Sequence, residues 1–322
     1  MIQDLENAFL LRYPGDSGGL TKLRSSSIEL CKAHLSAGLG DANLTQRLCS
    51  AEDTTFWQAI SEVLIARQLQ IAGLDLVHAA TGPDFQVEVD GRRIWIEVIC
   101  PTPVGIPADW LIREPGKVTS MPHESMLLRW TSAIKEKAEK LLGAASAPGK
   151  GYIASGLVDT RDAYVIAVNG RLLRGAFPAL DGISTFPFAV EATFSVGPYA
   201  ITTNKDTLET VDTGHQHRPR ISKPNGAQVP ADTFLDPRFA PISAIWATDM
   251  DENGLVDRHV PMAIVHNPLA RVRIQTKVIP AEKEFVATSD GDFYRLDVVP
   301  GLLASPPTPP RPSPGSPSGS AR

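Results

Sequence analysis

Two carboxylates, Asp84 and Glu97, stand where a short hairpin would bring them face to face. The segment 81–101, TGPDFQVEVDGRRIWIEVICP, places Asp90-Gly91 between two alternating stretches, which is the strongest short-range signal for a type I′ hairpin loop. Opposed residues in that register have numbers that sum to 181, so Asp84 faces Glu97. Like charges placed there repel, which predicts a shared proton or a bound cation such as Mg²⁺.

The alternation of this hairpin also predicts which of its faces is buried. Side chains point alternately to the two faces of a strand. A solvated polar face, with Glu88 and Arg93 as a cross-strand ion pair, is the alternative interpretation. It explains Glu97 less well, because Glu97 lies in an apolar run, and a buried carboxylate needs a partner. The predicted core side carries Phe85, Val87, Val89, Ile94, Ile96 and Val98.

A helix predicted over 55–72 precedes the hairpin. Thr55 and Gln58 have capping-box spacing, and Gly73 follows the last turn. Glu62 is the acid among the apolar residues of this helix. It is either a solvated surface residue, the usual state of a helical glutamate, or part of the site that the hairpin begins.

A second helix, predicted over 125–142, carries Lys137 within its apolar stripe. Lys137 is three residues from Ile134 and four from Leu141, so it points toward whatever the helix packs on. The alternative is a lysine whose stem packs while its ammonium reaches water. Lys135 and Lys140 are expected on the solvent side, paired with neighbouring glutamates.

The order of these elements resembles the core of the PD-(D/E)XK nuclease superfamily, the restriction-endonuclease-like fold. The resemblance covers residues 53 to 170 and rests on a helix with Glu62, a Gly82-Pro83-Asp84 strand start, Glu97 in an apolar strand, and a helix with a basic residue. It implies an α/β fold with a mixed sheet flanked by helices.

The resemblance also implies roles for individual residues. Asp84 is similar to the first acid of the motif, Glu97 to the second, and Glu62 to a helical glutamate that some members use at the metal. The backbone carbonyl of Ile99 is implied as a further metal ligand. Ile99 also stands where the lysine of the family is expected, so we expect Lys137 to replace that lysine.

Bulk composition restricts the class of protein. The 322 residues are 43% hydrophobic and 21% charged, with a net charge of -5, so the chain is not expected to coat nucleic acid by bulk electrostatics. A local basic groove is left open. An acidic N-terminus and no 18-residue apolar run predict a cytoplasmic protein without a membrane segment. Its three cysteines are expected to be reduced.

The remaining chain divides by composition and pattern. Residues 1–50 predict a helical cap, and 51–170 the α/β core. Residues 102–122 are too rich in proline for regular structure. Residues 171–300 predict a β-rich extension of the core or a second lobe, and 301–322 a disordered Pro/Ser-rich tail. Strands are expected at 151–156, 163–170, 187–196, 199–203, 242–248 and 261–266, with a final hairpin over 284–298.

These observations lead to a nuclease hypothesis and two alternatives. The first is a nuclease dependent on Mg²⁺ or Mn²⁺ that hydrolyses phosphodiester bonds in DNA, with RNA left open and Asp84, Glu97, Glu62 and Lys137 at its site. The second is a catalytically inactive member of the fold that acts as a binding or assembly module. The third is a different metal hydrolase site at His215 and His217, which lie in a segment expected to be a polar loop and have no obvious third ligand. The oligomeric state is left open.

Overall fold

The structure, a computed structural model, describes residues 2–78, 81–112, 114, 116–175, 180–290 and 293–303. Helices α1 to α8 span Ile2–Arg12, Gly18–Ser36, Leu44–Leu48, Asp53–Ile71, Ala108–Leu111, His123–Leu142, Phe188–Phe194 and Glu252–Leu255. Strands β1 to β12 span Leu76–Val77, Phe85–Val89, Arg92–Ile99, Ala163–Asn169, Val196–Thr203, Thr210–His217, Arg220–Ser222, Gln228–Pro230, Ala244–Thr248, Met262–His266, Lys283–Asp290 and Phe293–Pro300.

Eight strands of the described residues form one mixed sheet, in the order β1-β2-β3-β4-β9-β10-β11-β12. Strands β1, β2 and β3 pair antiparallel, whereas β3, β4 and β9 are parallel to one another. The C-terminal strands β9 to β12 therefore continue the sheet that begins with the hairpin. Strands β5 with β6 and β7 with β8 form separate two-stranded sheets.

The β2–β3 hairpin has the predicted register. Phe85 pairs with Ile96 and Val89 with Arg92, so partner numbers sum to 181. Asp90 and Gly91 both have positive φ, 51° and 71°, as a type I′ turn requires. Aspartate and glycine are among the residues that adopt this conformation most readily.

Helices cover both faces of the sheet. Helix α4 lies on the face of Ile94, Ile96 and Val98, and it is buried over most of its length, which explains its nearly continuous apolar sequence. Helix α6 covers the opposite face, where Trp130 packs in the same apolar cluster as Trp95. Each large apolar side chain buried in these layers contributes about 1.5 to 3 kcal/mol.

Several predicted elements have different boundaries or a different type. Helices α4 and α6 begin two residues earlier than predicted, and Glu52, not Thr55, is the N-cap of α4. Residues 151–156 form turns instead of a strand, and most of 187–196 is α7. His215 and His217 lie in β6, not in a loop. The predicted tail lies outside the described residues from 304 onward.

The described residues of the proline-rich stretch after β3 are irregular as predicted, apart from the short helix α5. None of the helices in the described residues has both the length and the apolar character that crossing a bilayer requires.

Candidate functional site

Asp84 and Glu97 lie together where β2 begins. The β2–β3 ladder runs to the pair Phe85–Ile96. Beyond it, Asp84 Oδ2 accepts a hydrogen bond from Val98 N at 2.6 Å. In this register Val98 would face Pro83, two residues before Phe85. The Asp84 carboxylate therefore accepts a hydrogen bond beyond the end of the ladder and is tied to the residue next to Glu97.

Two lysines of α6 contact one oxygen of Glu97. The Lys137 ammonium lies 2.7 Å from Glu97 Oε1, and the Lys140 ammonium lies 2.9 Å from the same oxygen. Glu97 is 1% exposed and Lys137 is 5% exposed. The prediction that Lys137 points inward is therefore confirmed.

Lys140 is exposed as predicted, but its predicted partner was wrong. Its side chain is 44% exposed, and its ammonium contacts Glu97 instead of a neighbouring glutamate of α6. Lys140 is three residues after Lys137, and side chains three apart lie on the same helical face. This spacing is the signal that could have identified it.

The second oxygen of Glu97 is without a partner. Glu97 Oε2 is buried and has no hydrogen-bond partner among the described residues. A buried acceptor left unsatisfied costs about 1 to 3 kcal/mol, and more when it is charged. The Tyr152 hydroxyl interacts with Glu97, and a cation or a further proton donor could also satisfy this oxygen.

Burial and neighbouring charge change the acidity of Asp84. Burial raises the pKa of Asp84 to about 7, and the negative charges of Glu97 and Glu62 contribute to this rise. The Lys137 ammonium and the Val98 N–H oppose it. Asp84 can therefore take up or release a proton near neutral pH, as expected when carboxylates are close together.

Glu62 lies near this pair but is held by other residues. Arg47 donates to both of its carboxylate oxygens, at 2.8 and 3.0 Å. Gln58, one turn earlier on α4, donates to Glu62 Oε1 at 3.3 Å and accepts from Cys100 N at 2.9 Å. Arg47 and Gln58 were not identified from the sequence, although the i to i+4 spacing of Gln58 and Glu62 places both on one helical face.

Other side chains complete the surroundings of Glu97. Ile99 ends β3 beside Val168, and its side chain packs in the apolar cluster under α6. Tyr152 is half-buried, and burial together with the charge of Glu97 raises the pKa of its hydroxyl to about 12. The hydroxyl of Tyr164 is buried without a hydrogen-bond partner in the described part of the chain. Sequence reasoning missed both tyrosines, and we find no local signal for them.

The donor set can be tested against a divalent metal. Across the described ranges, no group of three or more histidine, cysteine or carboxylate side chains is arranged to hold a metal. Asp84 and Glu97 are two carboxylates, and Mg²⁺ commonly takes one or two together with waters and substrate phosphate. The unpartnered Glu97 Oε2 suits such an ion. Glu62, with both oxygens on Arg47, is less suited to be a ligand.

The two histidines of the third hypothesis are not part of such a site. His215 Nδ1 lies 3.0 Å from the carbonyl oxygen of Gly197, and its ring packs against Phe186 and Tyr199.

Comparison of the chain with protein-family models, curated proteins and solved structures found no significant match.

Proposed function

We propose that this chain is a divergent metal-dependent nuclease that hydrolyses phosphodiester bonds in DNA. The observation that carries the proposal is the contact between Lys137 and Glu97, 2.7 Å long, beside the carboxylate of Asp84. Three separate elements supply these groups: the start of β2, the strand β3 and the helix α6. Acids and a lysine gathered in this way are what phosphodiester hydrolysis with a metal requires.

The order of the elements supports the proposal. Helix α4, the β2–β3 hairpin, α6 and β4 follow one another along the chain, and β3 and β4 are parallel neighbours. This is the order on which the resemblance to the restriction-endonuclease-like fold rests. The lysine that the resemblance leads one to expect after Glu97 is replaced by Ile99, and α6 supplies two ammonium groups instead.

In this function Asp84 and Glu97 would hold Mg²⁺ or Mn²⁺, with the Ile99 carbonyl as a further oxygen. A divalent ion supplies polarisation of the phosphoryl oxygen and lowers the pKa of a bound water. Asp84 must be ionised to hold the ion, and its raised pKa means that a proton competes with the metal at and below about pH 7. Glu62 would act through its charge on Asp84, as a positioning residue.

The two lysines differ in what they can do. Lys137 is buried and holds Glu97 in place. The Lys140 side chain is 44% exposed, so its ammonium can turn from Glu97 toward a bound phosphate. A cation at that point stabilises the charge that develops in the transition state.

One observation favours a second candidate, a catalytically inactive member of the fold that serves as a binding or assembly module. Glu97 Oε1 already receives two ammonium groups, which balance its charge without a metal. If this balance is permanent, the acids have a structural role alone. Metal binding separates the two candidates, because a metal that binds the folded state must stabilise it.

The test is cleavage of plasmid, single-stranded DNA and RNA with Mg²⁺ or Mn²⁺. We expect cleavage by the wild type and its loss in Asp84→Asn and in Lys137→Met. Glu284→Gln is the matched control, because Glu284 is a buried carboxylate of β11 paired with His266 at 2.7 Å. Cleavage that survives Asp84→Asn in a folded variant rules out the assigned site. Absence of both cleavage and metal binding favours the inactive module.

A further inference from the structure

A cleft rich in arginine opens at the opposite end of β3 from Glu97. Its volume is about 570 Å³, and its lining includes Arg92, Arg161, Arg271 and Arg273. The whole chain has a net charge of -5, so this concentration of positive charge runs against the bulk composition.

The sheet topology explains why these arginines meet. Strands β3, β4 and β9 are parallel, and β10 is antiparallel to β9. The start of β3, the turn before β4 and the segment after β10 therefore lie at one edge of the sheet. Arg92 belongs to the first of these segments, Arg161 to the second, and Arg271 and Arg273 to the third.

Three of the four guanidinium groups are not neutralised. Arg161 pairs with Asp159 through two hydrogen bonds. Arg92 and Arg271 form no ion pair with the described residues, and Arg273 donates to the carbonyl of Pro268, which leaves its charge uncompensated. All four are exposed. Asp159 pairs with Arg161, and Asp90 lines an adjoining pocket with Arg92 and Arg273, so four arginines meet two acids. The excess of positive charge favours the binding of an anion.

The segment with Arg271 and Arg273 is held firmly. Buried Asn267 donates to the carbonyls of Phe239 and Ile242, at 3.0 and 2.8 Å. Ser243 Oγ donates to the carbonyl of Val272 at 2.6 Å, between the two arginines. Because their backbone is fixed, only the side chains of Arg271 and Arg273 have to be ordered when a ligand binds.

We propose that this cleft binds backbone phosphates of a nucleic acid. Arginine is the cation best matched to phosphate, because its guanidinium donates two parallel hydrogen bonds. Arg92 is five residues from Glu97 on β3, about 17 Å away. Because β3 is buried from Ile94 to Ile99, a nucleic acid would have to pass over the protein surface to reach both places, which takes more than about five phosphates at 3.4 Å each. The proposal rests on the proposed function in taking nucleic acid as the polyanion.

The experiment measures binding separately from cleavage. A fluorescent 20-nucleotide DNA, as single strand and as duplex, is titrated with the Asp84→Asn chain in EDTA at several salt concentrations. We expect the triple variant Arg92→Gln, Arg271→Gln, Arg273→Gln to raise Kd at least tenfold. It should also reduce the slope of log K against log salt by about 0.9 for each duplex phosphate that the protein no longer neutralises.

The matched control removes three charges elsewhere. Arg238→Gln, Arg258→Gln, Arg295→Gln changes the net charge equally at exposed positions. The cleft proposal is overturned if both triple variants bind alike, if neither binding nor slope changes, or if inorganic phosphate, a mononucleotide or an acidic peptide competes as well as the oligonucleotide. If the wild type binds DNA through these arginines but never cleaves it, the proposed phosphate-binding cleft is supported and only the nuclease proposal is overturned.

Discussion

The Lys137 ammonium lies 2.7 Å from Glu97 Oε1, and both side chains are almost completely buried. Removing two charges from water is costly, and their attraction offsets this only when geometry and hydrogen bonding are good. Lys140 adds a second ammonium to the same oxygen, while Glu97 Oε2 is left without a partner among the described residues. This uneven arrangement is what a site that binds a further cation or proton donor would show.

Loss of Lys137 should destabilise the chain. We expect Lys137→Met to lower the free energy of unfolding by about 3 kcal/mol, because breaking a buried ion pair is costly and leaves buried Glu97 with only the partly exposed Lys140 ammonium. Urea denaturation measures this change, and adding Glu97→Gln to the variant should recover part of it. Lys135→Met is the control on the same helix, since Lys135 is 71% exposed. An effect no larger than that of the control would contradict a buried ionic contact.

Asp84 should make stability depend on pH between about 4 and 7. Its pKa is raised from 3.8 to about 7 in the folded state, so the folded chain binds a proton that the unfolded chain has already lost. Stability from this group is then highest at low pH and falls as pH rises toward 7. In the wild type this fall is at most about 1.4 kcal/mol per pH unit. Asp84→Asn should remove it.

Urea denaturation of the wild type and Asp84→Asn at pH 5 and pH 8 checks this prediction. The stability advantage of the variant should be larger at pH 8. Asp206→Asn, at an exposed position, should show no such difference. An advantage that is equal at both pH values would mean that Asp84 does not titrate in this range.

Glu62 should influence the site through its charge. Arg47 donates to both oxygens of Glu62, and the Glu62 charge contributes to the raised pKa of Asp84. We expect Glu62→Gln to lower the pKa of Asp84, so that the fall in stability attributed to Asp84 occurs at lower pH. The rate of DNA cleavage should fall less than tenfold. Cleavage as low as that of Asp84→Asn would instead make Glu62 a metal ligand.

Divalent metal should stabilise the folded chain. At a concentration 100 times its Kd, a bound ion adds about 2.7 kcal/mol to the free energy of unfolding, which raises Tm by a few degrees. Thermal denaturation with Mg²⁺ or Mn²⁺ at pH 8 should show the rise in the wild type and not in Glu97→Gln. Potassium chloride at equal ionic strength is the control, and a rise of the same size in Glu97→Gln would place the ion elsewhere.

Gly151 should tolerate no side chain. A Cβ atom there would lie 2.3 Å from Gly143 N and 2.5 Å from Leu141 O, and this close approach holds Tyr152 against the end of α6. We expect Gly151→Ala to cost about 2 kcal/mol or more. Gly149→Ala is the control, since a Cβ there meets nothing within 4 Å. Equal stability of the two variants by urea denaturation would show that the close approach is not needed.

Part of the site could be predicted because its signals are local. The Asp90-Gly91 turn sets the hairpin register, and this register brings Asp84 to the end of the ladder, beside Glu97 and Val98. The apolar stripe of α6 likewise predicted the inward direction of Lys137. In both, a backbone period determines the direction of a side chain.

Other features depended on distant contacts. Residues 188–194 were predicted to be part of a strand because they are mostly apolar and rich in phenylalanine and β-branched residues. They form a helix that is buried on every side. Apolar character on all faces does not distinguish a buried helix from a buried strand. The turns at 151–156 follow from the approach of Gly151 to the end of α6.

Local sequence was enough to specify the hairpin and its register and to bring two acids near a basic helix, because each follows from turn chemistry or side-chain periodicity. Packing between elements brings Lys140 to the same oxygen of Glu97 as Lys137 and places Arg47 on Glu62. It alone gathered the arginines of three segments at one edge of the sheet. Those contacts join residues from different elements, and their partners are chosen by packing, which no local pattern contains.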